Sequence, residues 1–337
     1  MNLGLLDELM EIYMNITVYF VKTRSSLMND FPHVNILLAT YNGSKYLKEQ
    51  LDSLLAQSYP NITIYIRDDG STDDTIAILK KYMADSSSSR KIILLDNQGE
   101  NLRCPGSFYE ILRNCSPADY YAFCDQDDIW YPDKIKWAVE KLEAQTDLHI
   151  PIAYFSAYEY YSDTGEFLHH SPTQKSHIHL TDVLYYTPAS GFVIVFNEAA
   201  RQQLILNVDP GEELHDRWLL RGAACFGKII YDPRSSASHI RHSNAVTAED
   251  STDSSLIRSF LRNEIAGTAM TDSKRYLKHF QTVFADRLSD SEQKTLTLFT
   301  APNNLPRQIR KLFYPKRLRA RLAGEVAIRI LFLIGKI

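Results

Sequence analysis

The sequence has little that resembles a membrane span or a secretory signal. No uncharged apolar run reaches the roughly 18 residues that a membrane-spanning helix requires, and the best candidate, residues 330–334, is far shorter. Residues 1–20 hold three acidic residues and no basic one, whereas a secretory signal peptide begins with positive charge. The four cysteines form no Cys-x-x-Cys pair. These absences predict a cytoplasmic protein with reduced thiols.

Three common enzyme motifs are also missing. No Gly-x-Gly-x-x-Gly follows the first predicted strand, which argues against a dinucleotide-binding dehydrogenase. No Gly-x-x-x-x-Gly-Lys-Ser/Thr loop is present, which argues against a P-loop enzyme, and the Gly-x-Ser-x-Gly nucleophile elbow is absent as well.

Positive charge is concentrated at the C-terminus. The net charge of the 337 residues is −4, but residues 305–337 hold nine Lys or Arg and one Glu, or +8, so the other 304 carry −12. An acidic body argues against a nucleic-acid partner. The tail suits either a helix packed on the main domain or, as we favour, a segment drawn to anionic lipid. Its basic residues are Arg307, Arg310, Lys311, Lys316, Arg317, Arg319 and Arg321, which alternate with Ile309, Leu312, Phe313, Leu318 and Leu322.

The hydrophobic pattern divides the chain into three parts. Residues 1–30 favour a helical N-terminal extension, residues 31–246 alternate between strands and helices, and residues 247–337 are helical and end in the basic tail. Such alternation predicts an α/β fold in which helices flank a mostly parallel central sheet. Ser44 is expected to cap the first helix of the main domain, residues 44–59. The predicted strands are 34–40, 62–67, 91–95, 120–124, 152–160, 191–196 and 228–231.

Polar clusters follow three of these strands, and in open parallel sheets ligands bind beyond the carboxyl ends of the strands. The clusters are Thr40-Tyr41-Asn42, Asp68-Asp69 and Asp125-Gln126-Asp127-Asp128. Asp73 and Asp74, further from a strand end, are better explained as turn or helix-capping residues.

The third cluster holds three carboxylates within four residues, and their mutual repulsion calls for a counter-charge. A divalent cation, Mg²⁺ or Mn²⁺, meets that need because hard cations bind carboxylate oxygens and also bridge diphosphates. One of the three, Asp128, is also a candidate cap for the next helix.

Two stretches together resemble a known family. Residues 36–75, ILLATYNGSKYLKEQLDSLLAQSYPNITIYIRDDGSTDDT, and residues 124–135, CDQDDIWYPDKI, resemble the inverting family 2 glycosyltransferases of GT-A fold. Within that family they look most like bacterial rhamnosyltransferases that build cell-surface polysaccharide, and the resemblance extends over about residues 34–246. It implies that Thr40, Tyr41 and Asn42 line the nucleotide, that Asp69 accepts a hydrogen bond from the pyrimidine N–H, that Asp125 lies near the ribose and that Asp127 binds the metal.

The resemblance also assigns residues in the second half of the chain. EELHDRW, residues 212–218, implies that Asp216 is the general base, although a helix N-cap followed by a core Trp218 explains the same pattern. Gly191 matches a small-residue turn near the sugar and acceptor. In HIRHSNAV, residues 239–246, His242 matches a ligand of the metal or diphosphate and Arg241 a phosphate contact. This loop departs from the family pattern, in which Arg precedes His by two residues.

A second departure lies in NLRCPGSF, residues 101–108, where the family commonly has Gly at the position of Arg103 and Asn at that of Ser107. The expected function is transfer of L-rhamnose from dTDP-L-rhamnose, with inversion, onto a glycan or polyprenyl-linked glycan. The alternatives are a UDP-hexose or UDP-N-acetylhexosamine donor, or a non-catalytic subunit that binds nucleotide or glycan. The expected location is the cytoplasm or the inner face of the plasma membrane.

Overall fold

The computed structural model describes residues 31–85, 90–241 and 269–337, within which nine strands form one sheet. The predicted N-terminal helical extension and the predicted boundary at residue 246 lie outside these ranges. The sheet order is β3-β2-β1-β4-β8-β6-β9-β5, and β7 pairs with β6. The strands are β1 Val34–Thr40, β2 Ile62–Asp68, β3 Lys91–Leu95, β4 Tyr120–Cys124, β5 Asp128–Trp130, β6 Ile152–Ser162, β7 Phe167–His170, β8 Ile194–Asn197 and β9 Lys228–Arg241.

The first four strands are parallel, as their buried apolar sequences predict. Thr40 at the end of β1 lies opposite Asp68 at the end of β2, and Leu38 lies opposite Cys124 at the end of β4. The three polar clusters therefore meet at one edge of the sheet, which confirms the expectation from the strand pattern.

The other half of the sheet is mixed and corrects two predicted strands. β9 continues to Arg241 although Asp232-Pro233 was expected to end it, because register shifts against β6 accommodate the proline. β8 begins at Ile194, and the predicted start of that strand, Gly191–Val193, is a 3₁₀ turn. β6 and β7 form the hairpin predicted at Asp163-Thr164-Gly165.

Ten α-helices are present in the described residues, and the first of them is shorter than predicted. It begins at Leu47 with Tyr46 in the N-cap position, so the expected cap by Ser44 is wrong. The backbone N–H of Ser44 instead donates to Asp73. The helices are α1 Leu47–Leu55, α2 Thr75–Ala84, α3 Arg103–Asn114, α4 Lys134–Glu143, α5 Glu198–Arg201, α6 His215–Phe226, α7 Ala269–Val283, α8 Asp290–Thr300, α9 Leu305–Leu312 and α10 Leu322–Leu333.

Helices α7 to α10 form a C-terminal helical region that packs on the sheet domain through aromatic side chains. Trp218 of α6 lies against Phe280 and Phe284, with ring centroids 5.2 and 5.6 Å apart. Tyr185 lies between Phe299 and Phe332 in the same way. None of the helices in the described ranges combines the length and the apolarity that crossing a bilayer demands.

The basic tail packs on the domain and also exposes apolar side chains. Ile309, Phe313 and Leu322 are 48, 76 and 68% exposed. Lys311, which was expected on the exposed basic surface, is buried, and its Nζ donates to Asn303. That expectation is wrong for Lys311, and burial lowers its pKa to about 8.

Candidate active site

A cavity of about 630 Å³ opens at the carboxyl edge of the parallel strands. Most of the polar residues predicted at the strand ends line it, and residues from the start of α3 complete its wall. The lining side chains include Thr40, Tyr41, Asp69, Asn101, Arg103, Cys104, Ser107, Asp125, Gln126 and Asp127. The structure therefore brings together five of the predicted site residues: Thr40, Tyr41, Asp69, Asp125 and Asp127.

Asn42 does not line this cavity but organises its rim. Its backbone N–H donates to the Ser71 hydroxyl, its side-chain oxygen accepts from the Thr72 N–H, and it has a φ of 47°. Asparagine tolerates this left-handed conformation better than most residues. Asp73 is a turn residue, as expected, and accepts from the N–H groups of Ser44 and Thr75.

Asp69 is held in one orientation by three donors. The N–H of Leu102 donates to Oδ1 at 2.7 Å, the N–H of Arg103 donates to Oδ2 at 2.6 Å, and the buried Arg67 pairs with Oδ1. Burial alone would raise the pKa of Asp69, but these hydrogen bonds lower it below the usual value. The carboxylate is thus fixed and ionised at the cavity wall, ready to accept a further hydrogen bond.

Two residues that sequence reasoning did not select build this edge. Arg67 lies on β2, and Asp69 follows two residues later, directly after the strand, so the two side chains are on the same face. An arginine in an otherwise apolar strand was the available sequence signal. Gln126 clamps the backbone of Tyr41, accepting from its N–H at 2.9 Å and donating to its carbonyl at 3.1 Å. No local sequence pattern predicts the contact between Gln126 and Tyr41, because it joins the ends of two different strands.

Arg103 lies where the family commonly has Gly, and its backbone explains that preference. Its φ is 55°, in the left-handed region, and in this conformation its N–H reaches Asp69. The guanidinium lines the cavity and makes no hydrogen bond or ion pair with any residue that the structure describes. The position therefore contributes a positive charge to an otherwise acidic cavity.

The left-handed conformation gives a stability prediction for Arg103. We expect Arg103→Gly to exceed Arg103→Ala in free energy of unfolding by about 1 kcal/mol, because only glycine adopts this φ without a Cβ clash. Both variants lose the same guanidinium, so their difference isolates the backbone. Urea denaturation of the two proteins measures it, and an Ala variant that equals the Gly variant would contradict the argument.

The carboxylates at residues 125–128 act strongly on one another. Burial raises the pKa of Asp125 well above its usual value, and the charges of Asp128, Asp127 and Asp216 raise it further. Asp125 and Asp127 both face the cavity. Within the described ranges no three His, Cys, Asp or Glu side chains form a complete metal site. The donor set fits Mg²⁺ or Mn²⁺ bound by one or two carboxylates, with phosphate oxygens and water as the other ligands.

Asp128 is not a helix cap. It lies in β5, whereas α4 begins at Lys134 with Asp133 in the N-cap position. Its Oδ1 is 2.6 Å from Nδ1 of His239 on β9, and its Oδ2 has no hydrogen-bond partner among the described residues. The capping alternative is therefore wrong, and Asp128 orients His239, 111 residues later in the chain.

Asp216 lies in the first turn of α6, beside the cavity. Leu214 occupies the N-cap position, so the N-cap explanation of Asp216 is wrong, while Trp218 is a core residue as expected. Burial raises the pKa of Asp216 to about 6, against the opposing effect of the Arg217 N–H. Its charge raises the pKa values of Asp125 and Cys104, both of which line the cavity. Asp216 is therefore a carboxyl group with a raised pKa, close to the strand-end cluster.

Gly191 is required by its close approach to α6. A Cβ at this position would lie 2.6 Å from Nε2 of His215, the residue before Asp216. His215 is buried between Phe108 and Phe123, and burial lowers its pKa to about 3, so it is neutral. Gly191 thus positions the start of α6.

The late loop is described only in part. Arg241 ends β9 opposite Ser162, and its side chain is outside what the structure describes. His242, the predicted metal or diphosphate ligand, lies outside the described residues.

A family model for "Glycosyl transferase family 2" matches residues 35–219, more than half of the 337 residues. A relative named dTDP-rhamnosyl transferase RfbG, from Shigella flexneri, is 39% identical over 111 residues, which is 31% of this chain and 36% of RfbG. A second relative, named putative glycosyltransferase EpsE, from Bacillus subtilis, is 36% identical over 116 residues, 34% of this chain and 40% of EpsE. The chain thus spans well under half of the length of either relative.

Two solved structures share the fold. Residues 1–349 of S. aureus TarS match with a TM-score of 0.52 and 17% identity, over 89% of this chain and 80% of TarS 1–349. The same fragment in complex with UDP-GlcNAc matches with a TM-score of 0.51 and 15% identity, over 90% and 91%. The similarity includes the C-terminal helical region and confirms the predicted architecture.

Proposed function

The chain belongs to glycosyl transferase family 2, with the GT-A fold that its sequence predicts, and from that premise we propose that it transfers a sugar from a nucleotide-sugar donor with inversion. One observation carries the proposal: a fixed Asp69, the Asp125–Asp127 cluster and the half-buried Asp216 surround one edge of the sheet. The proposed donor is dTDP-L-rhamnose, supported by the CDQDDIW motif and by the relative named dTDP-rhamnosyl transferase. The proposed acceptor is a glycan or a polyprenyl-linked glycan.

In the proposed complex the nucleotide binds at the ends of β1 and β2. The pyrimidine N–H donates to Asp69, Thr40 and Tyr41 line the nucleotide, Asn42 shapes the loop beside it, and Asp125 contacts the ribose. Arg103 and Arg241 are the proposed cations for the diphosphate, since arginine forms strong charge-assisted hydrogen bonds with phosphate.

A divalent cation fits the same end of the cavity. Asp127 is its proposed ligand from the strand-end cluster, and His242 is the proposed second ligand. When bound, the cation would neutralise the negative charge that develops on the diphosphate leaving group.

The transfer itself needs a base on the side of the sugar opposite the diphosphate. Asp216 takes the proton of the acceptor hydroxyl while the hydroxyl oxygen attacks the anomeric carbon. The bond between that carbon and the phosphate oxygen breaks, the electron pair leaves with the nucleoside diphosphate, and the configuration at the carbon inverts. Gly191 keeps the start of α6, and with it Asp216, close to the sugar.

A donor screen tests the proposal. Purified protein is incubated with Mn²⁺ or Mg²⁺, a panel of alkyl-linked sugars as acceptors, and dTDP-L-rhamnose, a UDP-hexose or a UDP-N-acetylhexosamine as donor, and release of nucleoside diphosphate is measured. We expect the fastest release with dTDP-L-rhamnose. Preference for a UDP donor would overturn the proposed donor sugar but would still support a glycosyltransferase activity. Nucleotide binding without release from any donor would instead favour a non-catalytic subunit.

The raised pKa of Asp216 predicts how activity depends on pH. Its carboxylate is the active form, and because its pKa is about 6 in the folded protein, the fraction in that form falls as the pH drops below 6. We expect kcat/KM to be nearly constant above pH 7 and to fall about tenfold per pH unit well below 6. A rate that is flat from pH 7 to pH 5 would contradict the base assignment.

We also propose that the tail binds an anionic membrane surface, through exposed Ile309, Phe313 and Leu322 with Arg310 and Lys316. Co-sedimentation with vesicles of phosphatidylglycerol and phosphatidylethanolamine tests it. We expect the double variant Ile309→Ser, Phe313→Ser to lose most of the binding. Equal binding of wild type and variant, or equal binding to uncharged vesicles, would contradict it.

A further inference from the structure

A second cavity, of about 370 Å³, shares no lining residue with the first. It lies between the sheet and the C-terminal segment, and its size is within the range of small-molecule sites. Its wall is formed by five aromatic side chains, several hydroxyl groups and two arginines from the basic tail. The aromatic residues are Phe155, Tyr158, Tyr160, Tyr186 and Tyr231, and the arginines are Arg319 and Arg321.

The charge of this cavity is opposite to that of the first. Arg319 and Arg321 are its only charged lining residues within the described ranges, and no carboxylate lines it. Burial raises the pKa of Tyr186, and the charges of Arg321 and Arg319 oppose that shift, so both guanidinium charges act on a hydroxyl in the wall. An anionic group is therefore the complementary ligand.

Hydrogen bonds hold the segment that carries Arg319 and Arg321 in place against the domain. The N–H groups of Leu318 and Arg319 donate to Glu325 at 2.7 and 2.9 Å, and Nη1 of Arg319 donates to the Tyr185 carbonyl at 2.5 Å. Leu322, directly after Arg321, is exposed and belongs to the apolar surface of the tail. The positive wall and this apolar surface are thus continuous.

This cavity also adjoins the proposed general base. Thr187 and Ser190 line it; the Thr187 hydroxyl accepts from Nε of Arg217 at 3.1 Å, and Ser190 precedes Gly191. Arg217 follows Asp216 directly, and Gly191 contacts the residue before Asp216. A molecule in the cavity therefore lies near the start of α6, and it contacts none of the residues that line the first cavity.

We propose that this cavity is the acceptor site and that it binds a saccharide joined through a diphosphate to an apolar chain. The sugar stacks on the tyrosines and bonds to their hydroxyl groups, Arg319 and Arg321 bind the diphosphate, and the apolar chain leaves past Leu322. The inference rests on the proposed function and adds the site and the chemical class of its acceptor.

Calorimetry with full-length protein tests the acceptor site. The ligands are a panel of sugar diphosphates, with N-acetylglucosamine, galactose or rhamnose, on a short alkyl chain; the matching alkyl glycosides without phosphate; and the alkyl diphosphate without sugar. We expect at least one sugar diphosphate to bind more tightly than both of its fragments. Arg321→Gln should weaken its binding by about tenfold or more, as expected for loss of one charge-assisted hydrogen bond. Arg321→Lys should give an intermediate loss.

Arg113→Gln is the matched control, because it removes the same charge from an exposed side chain at the end of α3, outside both cavities and outside the tail. Equal weakening by both substitutions would show a general charge effect and overturn the proposal. The proposal would also be overturned if the glycoside or the sugar-free diphosphate bound as tightly as the sugar diphosphate, or if no member of the panel bound. Nucleotide binding is measured in the same samples: protein that binds nucleotide but no sugar diphosphate contradicts the acceptor site alone, and protein that binds neither contradicts the proposed function as well.

Discussion

Asp216→Asn is expected to lower the rate of sugar transfer by about 10³-fold, within the range by which a positioned general base accelerates a reaction. Asparagine has the shape of aspartate and keeps an oxygen for the Arg217 N–H, but it cannot take the acceptor proton. Nucleotide binding should be unchanged, because Asp216 does not line the nucleotide cavity. Release of nucleoside diphosphate in the presence of acceptor measures the rate, and calorimetry measures the binding.

Glu212→Gln is the matched control for this substitution. Glu212 lies four residues earlier, its side chain is 79% exposed, and its removal changes the net charge by the same amount. We expect it to transfer sugar at the wild-type rate. Because Asp216 has a raised pKa, its ionised form is disfavoured in the folded protein, and Asp216→Asn should melt at pH 7 no lower than wild type. Wild-type transfer by the Asn variant would refute the base assignment.

The parallel half of the fold follows from the sequence because its signals are local. β1, β3 and β4 have the predicted bounds, and β2 is one residue longer, since each is a short apolar run between turn residues. Once those strands are parallel, their polar ends meet at one edge. The cavity at Asp69 and Asp127 is therefore a consequence of the strand pattern.

Contacts between segments that lie far apart in the sequence could not be predicted from such local signals. Asp128 meets His239 only because β5 pairs with β9, and no local pattern reports that pairing. The left-handed backbone of Arg103 is likewise imposed by its contact with Asp69 and runs against the preference of its side chain. The arginines of the second cavity belong to the basic tail, whose charge is evident from the sequence. The position of this tail against β6 depends on tertiary packing, which the sequence pattern does not report.

Asp127→Asn is expected to remove the dependence of nucleotide binding on Mn²⁺. Asp127 lines the nucleotide cavity, and a neutral amide is a much weaker ligand for a hard cation than a carboxylate. We expect Mn²⁺ to tighten binding of the nucleoside diphosphate to wild type and to leave binding to the variant nearly unchanged. Transfer should fall by about 10³-fold, because a bound cation contributes several kcal/mol to stabilising the charge that develops on the diphosphate.

Calorimetry in Mn²⁺ or in EDTA measures the effect of the cation on nucleoside diphosphate binding without requiring catalytic activity. Asp74→Asn is the control: Asp74 is exposed at the N-cap of α2, and its side chain makes no capping hydrogen bond. It removes one charge near the same edge of the sheet, so a long-range electrostatic effect would appear in both variants. Loss of the Mn²⁺ effect in Asp127→Asn alone places the cation at the strand-end cluster. If Mn²⁺ tightens nucleotide binding equally in both variants, the ligand must be sought elsewhere, and the repulsion among Asp125, Asp127 and Asp128 needs a different counter-charge.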